Sequence, residues 1–467
     1  MSCRPRPLVP GGVRSSVIAL CCTAMGTGIL SMPLAMQMSG LIGGWVALLL
    51  AGAAVGLSAD VLVRCSHEQE TKLQTSAATP DGGLSAATSS GSHGPEPPPE
   101  LPAPAGANPP PAQSAELRSW AYLLEFHIGG RASLILDAII TMFGCGVTIM
   151  YNLFMYQFIS AILSNLQVRW LPSYQLLAVI TGACTLPLTL PDGLGSLQWL
   201  TVFIMAVIGA LAVLLCVSLE TCHGPVEPVA LLPTSPRHVL RSFCLFLFSV
   251  MFHMNLYTVY GGLGPSHAWG STAVLPRGVA DLVRMRRAIR SAVVICIVMA
   301  GVVATAGAVS WRGAVHSNVV TNFVPAACPQ EVMAVVVAEQ MGLVLVACFC
   351  IPLNLMQTRV SLLNLLGGAA GERVRTVVAR PPARHALTTA LVFALSMVAS
   401  VFDNAADIIG VLSGTVGTAL MFVLPAFFYS KSDLDEGSPI ARAFTIAALC
   451  VAAVPGLVDV ALRVLQP

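Results

Sequence analysis

The chain has 467 residues, of which 55% are hydrophobic and only 10% charged, with a mean hydropathy of +0.78. That balance excludes a soluble globular domain, and a formal net charge of +2 carries no nucleic-acid signal. Charges gather between long apolar runs, as they do when loops are wet and helices sit in lipid.

Residues 1–14 read as a short cytoplasmic tail. Residues 15–40 then form an apolar, membrane-length stretch with Gly26-Thr27-Gly28-Ile29-Leu30-Ser31-Met32-Pro33 at its centre. Gly and Pro weaken or remove helical hydrogen bonds. Non-helical backbone survives at membrane depth only where protein buries it or it lines a wet cavity. The first span is therefore expected to be broken, with freed amides around Thr27, Gly28 and Ile29 facing a carboxylate. Thr23 and Gly26 join that predicted binding set. The duller alternative is close helix packing through small residues. The run is too long and too interrupted for a secretory signal peptide.

Hydropathy predicts eleven spans, near 15–37, 41–63, 132–162, 174–191, 196–219, 239–262, 287–310, 332–364, 385–401, 406–429 and 440–463. Residues 15–64 hold the first two and 119–467 the remaining nine, so that 15–467 makes one membrane domain. Between them, 65–118 reads as a disordered cytoplasmic loop, rich in Pro from Pro95 to Pro111. It is either a tolerated insertion or a docking site for a proline-recognising partner. Arg4, Arg6 and Arg14, then Arg284, Arg286, Arg287 and Arg290, then Arg373, Arg375, Arg380 and Arg384 fall on one side of an eleven-span chain. The positive-inside rule makes that side cytoplasmic, with the amino terminus inside. The membrane is either the plasma membrane or a vacuolar or lysosomal one.

Asp137, near the start of span three, is one of two candidates for proton coupling. Ten of the fourteen cysteines fall inside spans and read as small apolar packers. Only Cys222 and Cys328 fall in outward loops, and they are expected to form a disulfide. No paired Cys spacing suggests a metal. Span six carries His253, Asn255, Tyr257, Thr258 and Tyr260 within eight residues. His253, Asn255 and Tyr257 are taken as substrate-facing, and His253 as the second coupling candidate; the bland reading of His253 is a neutral imidazole holding a neighbouring helix. If spans one to five and six to ten are inverted repeats, spans one and six correspond, and two broken helices in matching places mark a binding site. In span eight, Arg359 is expected to snorkel. Asp403 and Asp407 at span ten read as solvated, and Gly410 to Gly417 as a packing face that could also wall a substrate.

These residues carry a resemblance. Gly26 to Pro33 with Gly40, Gly144 to Tyr151, Leu197 to Leu200, His253 with Asn255, Val259 and Tyr260, Pro352 with Arg359, and Gly414 with Pro425 together resemble the amino acid/auxin permease family. The resemblance implies an all-α polytopic carrier of five-plus-five inverted repeats with helices one and six broken. It implies alternating access for a small amino acid, coupled to a proton or to sodium. The sodium-coupled branch has Asn where this chain has Cys22, and a thiol suits a hard cation poorly, so the proton is the expected coupling ion and sodium the lesser one. No acid is placed to meet a cationic side chain, so a neutral substrate is favoured. The expected partners are that substrate and the bilayer, with no organic cofactor and no nucleic acid. Neither an enzyme nor a channel is read here, since no nucleophile–base pair or filter motif is present. The rival reading is a membrane amino acid sensor signalling through 65–118 with little flux.

Overall fold

The computed structural model describes residues 11–78, 120–129, 132–190, 198–222, 227–263, 277–370, 380–433 and 439–465. The Pro-rich stretch Pro95–Pro111, residues 191–197 and 264–276, and Arg4, Arg6, Arg373 and Arg375 lie outside them. Every regular element among the described residues is a helix. Span one is α1 (Val13–Ala24), a 3-10 turn (Thr27–Ser31) and α2 (Met32–Ser39). Span two is α3 (Leu41–Ala78), followed by a short helix α4 (Trp120–Ile128) and span three, α5 (Ala132–Asn165). Spans four and five are α6 (Tyr174–Thr189) and α7 (Gln198–Thr221). Span six is split into α8 (Pro236–Val250) and α9 (His253–Gly261). Spans seven to nine are α10 (Arg277–Trp311), α11 (Gln330–Ala370) and α12 (Pro381–Ala399). Span ten joins α13 (Ala405–Leu412) to α14 (Leu424–Lys431) through two π segments, and span eleven is α15 (Pro439–Leu465).

Among the described residues nine helices are long and apolar enough to cross a bilayer. The bent pair of span one makes a tenth, and Tyr174–Thr189 is a shorter apolar helix. All eleven expected spans therefore have a counterpart. Local chemistry explains several ends. Ser173 caps α6 by accepting from the Leu176 amide, and Asn404 caps α13 by accepting from Ala406. Pro33, Pro236 and Pro381 stand in first turns, where the missing N–H has no helical partner to lose. Gly40 turns the chain with φ +72°, and a Cβ there would fall 2.6 Å from the Leu231 carbonyl carbon. The turn is held because Leu41 and Ile42 donate to the Ala230 and Leu231 carbonyls.

Two predicted boundaries move. Span two continues as helix to Ala78, so 65–78 is ordered rather than part of a loop. No Pro or Gly interrupts 65–78, and Lys72 pairs with Glu68 at 2.8 Å and with Asp433 at 2.6 Å. Hydrogen bonding to Lys72 holds the Asp433 carboxyl below its ordinary range. Span seven likewise begins at Arg277, ahead of its basic run, because those arginines have partners. Arg284 pairs with Asp281 and donates to the Gly11 carbonyl, and Arg286 and Arg64 share Asp60. These contacts bring the start of span one, span two and the basic end of span seven to one face.

Spans one, two, six and seven pack as one group, while span three runs along span eight, and span four along span nine. Arg359 does not snorkel. It is buried and donates to the Thr189 carbonyl and Thr388 hydroxyl, since the end of α6 leaves a carbonyl without a helical donor. Asp403 is exposed and the Asp407 side chain is 46% exposed, and Arg241 of span six and Arg463 of span eleven also bind Asp407. Cys222 and Cys328 form a disulfide between the ends of spans five and eight. The small face of span ten is taken up by span eleven, where a Cβ at Gly456 would lie 3.0 Å from Gly414 Cα. Gly456→Val should cost about 1–3 kcal/mol through overpacking, read as a lower melting temperature of the purified protein in detergent; unchanged melting would show that the two helices can separate freely.

Candidate binding site at the two helix breaks

Span one bends by 50° between Ala24 and Thr27. Gly26 takes φ −41° and ψ −157°, outside any helical geometry. Its amide meets no backbone carbonyl among the described residues, whereas the Ile29 amide turns back to the Gly26 carbonyl at 3.3 Å. The free donors therefore begin one residue earlier than the sequence suggests, and Ile29, 1% exposed, is spent on the 3-10 turn. The Thr27 amide faces the Tyr151 hydroxyl, which also reaches the Cys350 thiol. Thr27 is 2% exposed, yet its Oγ1 has no hydrogen-bond partner. An unsatisfied buried hydroxyl costs roughly 1–3 kcal/mol.

Span six breaks at Met251 and Phe252, close to the break in span one. Between the two breaks lies a cavity of about 410 Å³, walled by spans one, three, five, six and eight. Gly26, Thr27 and Gly28 line it, beside Tyr151, Phe143 and Phe248. The glycines are required by close approach. A Cβ at Gly26 would stand 2.5 Å from the Tyr151 hydroxyl, and one at Gly28 would stand 2.8 Å from the Phe248 ring. Among the described residues no Asp, Glu, Lys, Arg or His lines the cavity.

Away from the break, the lining reaches the exposed side chains of Thr258 and Gln357. A short hydrogen-bond chain crosses here: Gln357 donates to Asn255 Oδ1 at 3.3 Å, Asn255 to Thr23 Oγ1 at 3.0 Å, and Thr23 to the Ala19 carbonyl at 2.9 Å. It joins spans eight, six and one. Beyond the break on the other side, span one is closed over. Ser31 donates to the Ser317 carbonyl at 2.6 Å, and Asn318 to Gln157, which donates to the Asp403 carbonyl.

Of the residues singled out in the sequence, Thr23, Gly26, Thr27, Gly28 and Asn255 come together in this cavity, and Ile29, His253, Tyr257 and Asp137 do not line it. His253 is fully buried behind the wall. Its Nε2 lies 3.0 Å from Ser58 Oγ, and Ser58 donates its own proton to the Met421 carbonyl. His253 Nε2 must then be the donor, and Nδ1 is buried without a partner, so a second proton there would have no acceptor; the neutral ring ties spans two, six and ten through Nε2. Tyr257 donates to the Leu62 carbonyl and meets Trp120 edge-on, while Trp120 donates to the His253 carbonyl. Asp137 is half-buried near Ser361 and Asn364. Among the described residues span ten supplies no wall, and its Gly410 and Gly414 pack on span eleven; span five does supply one, through Leu200, Thr201 and Ile204. Phe143, Phe248 and the span-five residues went unread because an apolar side chain carries no chemical signature; nearness of Phe248 to a suspected break was the one available signal.

Residues 10–460 match the family described as transmembrane amino acid transporter protein. No curated protein matches the chain. Among solved structures, the chain is similar to Mhp1, a nucleobase-cation-symport-1 family transporter in a closed conformation with bromovinylhydantoin bound, at TM-score 0.52 and 13% identity, over 96% of this chain and 90% of that one. A manganese transporter of Eremococcus coleocola, in complex with an aromatic bis-isothiourea substituted compound, superposes at TM-score 0.47 and 10% identity, over 96% and 86%. The likeness to Mhp1 bears on the fold alone.

Gly28→Val should abolish uptake in proteoliposomes, because the branched side chain meets the Phe248 ring, while membrane insertion stays largely intact. Ordinary uptake by this variant would remove the break from the site.

Proposed function

Because the chain belongs to the transmembrane amino acid transporter family, we propose that the cavity at the two breaks carries a neutral amino acid by alternating access. The observation that supports this most is the pairing of unsatisfied donors at Gly26 and Thr27 with a lining that holds no charged side chain.

A zwitterion presents a carboxylate and an ammonium, and the cavity offers a complement to each. The carboxylate accepts from the Gly26 amide and the Thr27 hydroxyl, at the positive end of the half-helix that follows. The ammonium meets carbonyls near the end of α1, where the break removes helical donors. The side chain rests among Phe143, Met150, Phe248 and Met251. A charged side chain would lose its hydration there without gaining a counter-charge, at a cost of several kcal/mol. A volume near 410 Å³ lies within the usual range for small-molecule sites, roughly 300–1,000 Å³.

The conformation supports a carrier caught open on one side. The exposed mouth at Thr258 and Gln357 lies toward the start of span one, and the contacts of Ser31, Asn318 and Gln157 close the other. On the reading that the basic face is cytoplasmic, this is the inward-open state. Rocking of spans one, two, six and seven against the rest would break the Ser31 contact and tighten the Gln357–Asn255–Thr23 chain.

In reconstituted vesicles, neutral amino acids should compete for one saturable uptake, and lysine, arginine and glutamate should not. Equal competition by lysine would overturn the neutral assignment. Thr27→Ala should raise KM up to about tenfold, equivalent to roughly 1.4 kcal/mol for a lost hydrogen bond to a charged group, with protein level unchanged. An unaltered KM would take Thr27 out of carboxylate binding.

A further inference from the structure

Four carboxylates are buried among the described residues: Glu70, Asp281, Glu339 and Asp459. Asp281 has Arg284 and Asp459 has Arg463. Glu70 is engaged as well. Glu339 differs from all three. It is 8% exposed, its Oε1 is buried without a partner, and no ion pair or hydrogen bond reaches it among the described residues. Spans three, four, five and nine pack on its helix, and none brings a charged or titratable side chain against it.

Its place is as telling as its isolation. α11 buries one continuous stripe: Met333, Val336, Glu339, Leu343, Ala347 and Cys350. The last of these lines the cavity. Glu339 thus lies on the cavity-facing stripe about three turns, roughly 16 Å, from the cavity wall. It stands toward the closed end, on the side of the disulfide. One residue on, Gln340 accepts from Asn165 and donates to the Val320 carbonyl, fixing this part of span eight against spans three and seven's outer segment. One turn on, Gly342 packs on Val207 of span five. A carboxylate with no counter-charge is too costly in such a seam, so the group holds a proton in this conformation. A hard cation such as sodium would need several oxygens, and a single carboxyl among apolar neighbours does not supply them.

We propose that Glu339 is the proton site of this carrier, separate from the substrate cavity. The inference rests on the carrier reading above. The carboxylate takes a proton when the outer side is wet and becomes a neutral acid. It keeps that proton while the seam is dry, and gives it to water on the other side once the helices around span eight part. No other bond forms or breaks. His253, neutral and engaged by Ser58, and Asp137, outside the lining, are not needed for this cycle.

The test uses the full chain in proteoliposomes with a radiolabelled mixture of alanine, leucine and phenylalanine. Counterflow exchange at equal pH on both sides reports the carrier itself. Accumulation under an imposed pH gradient reports the proton site. Wild type should exchange and should accumulate at least tenfold more with an acid outside than without a gradient. Glu339→Gln should keep exchange and lose the accumulation, and Glu339→Asp should keep accumulation with a shifted pH midpoint. Should the glutamine variant fail to exchange, the aspartate midpoint decides: a shift supports the proposal and an unmoved midpoint overturns it. Gradient-driven accumulation retained by Glu339→Gln, or a wild type indifferent to the gradient while it exchanges, overturns the proton site and leaves the carrier reading standing. A wild type that does not exchange overturns both.

Discussion

A peptide group in hydrocarbon has to find its hydrogen bond inside the protein, and this chain leaves that requirement unmet at one place in span one. At Gly26 the backbone leaves the helix, its amide goes without a carbonyl, and the Thr27 hydroxyl beside it is buried without a partner. Much of the surrounding architecture can be understood as what allows that vacancy to persist. Gly26 and Gly28 let Tyr151 and Phe248 approach the bare backbone, and spans three and eight brace the wall from behind. Span six breaks opposite, so that two irregular segments shelter one another from lipid.

The polar groups of the spans fall into two kinds. Most are structural. Arg359, Asp407, Asn152 and, through its Nε2, His253 each bridge two or three helices, which is how membrane helices adhere when lipid gives no hydrophobic drive for association. Among the groups left open, beside hydroxyls such as those of Thr141, Thr305 and Ser413, are the donors at Gly26 and Thr27 and the carboxyl of Glu339. Under the proposed reading these serve substrate and proton respectively, and they sit on one connected surface, joined by the buried stripe of span eight. Such a separation would let proton loading bias the conformation without any proton meeting the amino acid, which is a coupling between two sites through a shared helix.

The site also shows how an apolar wall and a polar mouth divide labour. The wall by Phe143 and Phe248 has no charge to offer, so discrimination by it would rest on what cannot be desolvated there. The mouth at Thr23, Asn255 and Gln357 is a chain of neutral hydrogen bonds, each weak enough to exchange with water as helices shift.

The sequence by itself determined the membrane class, the eleven spans and the break in span one, because hydropathy over about twenty residues and a Gly-Thr-Gly-Pro cluster act locally, within a single segment. It also singled out Cys222 and Cys328, which the fold joins. Tertiary structure decided which polar residues point inward to the cavity. His253 and Asn255 are two residues apart on one helix, yet one faces Ser58 in the packed interior and the other faces Thr23 across open space. That choice depends on the rotation of α9 after its break and on what Ser58 and Met421 present from other spans. The same holds for Arg359 and Glu339, alike in sequence as lone charges in apolar runs: neighbours from spans four and nine satisfy the first, and none satisfies the second. Local composition fixes what a residue can do, and only the packing of distant helices sets which partner it meets.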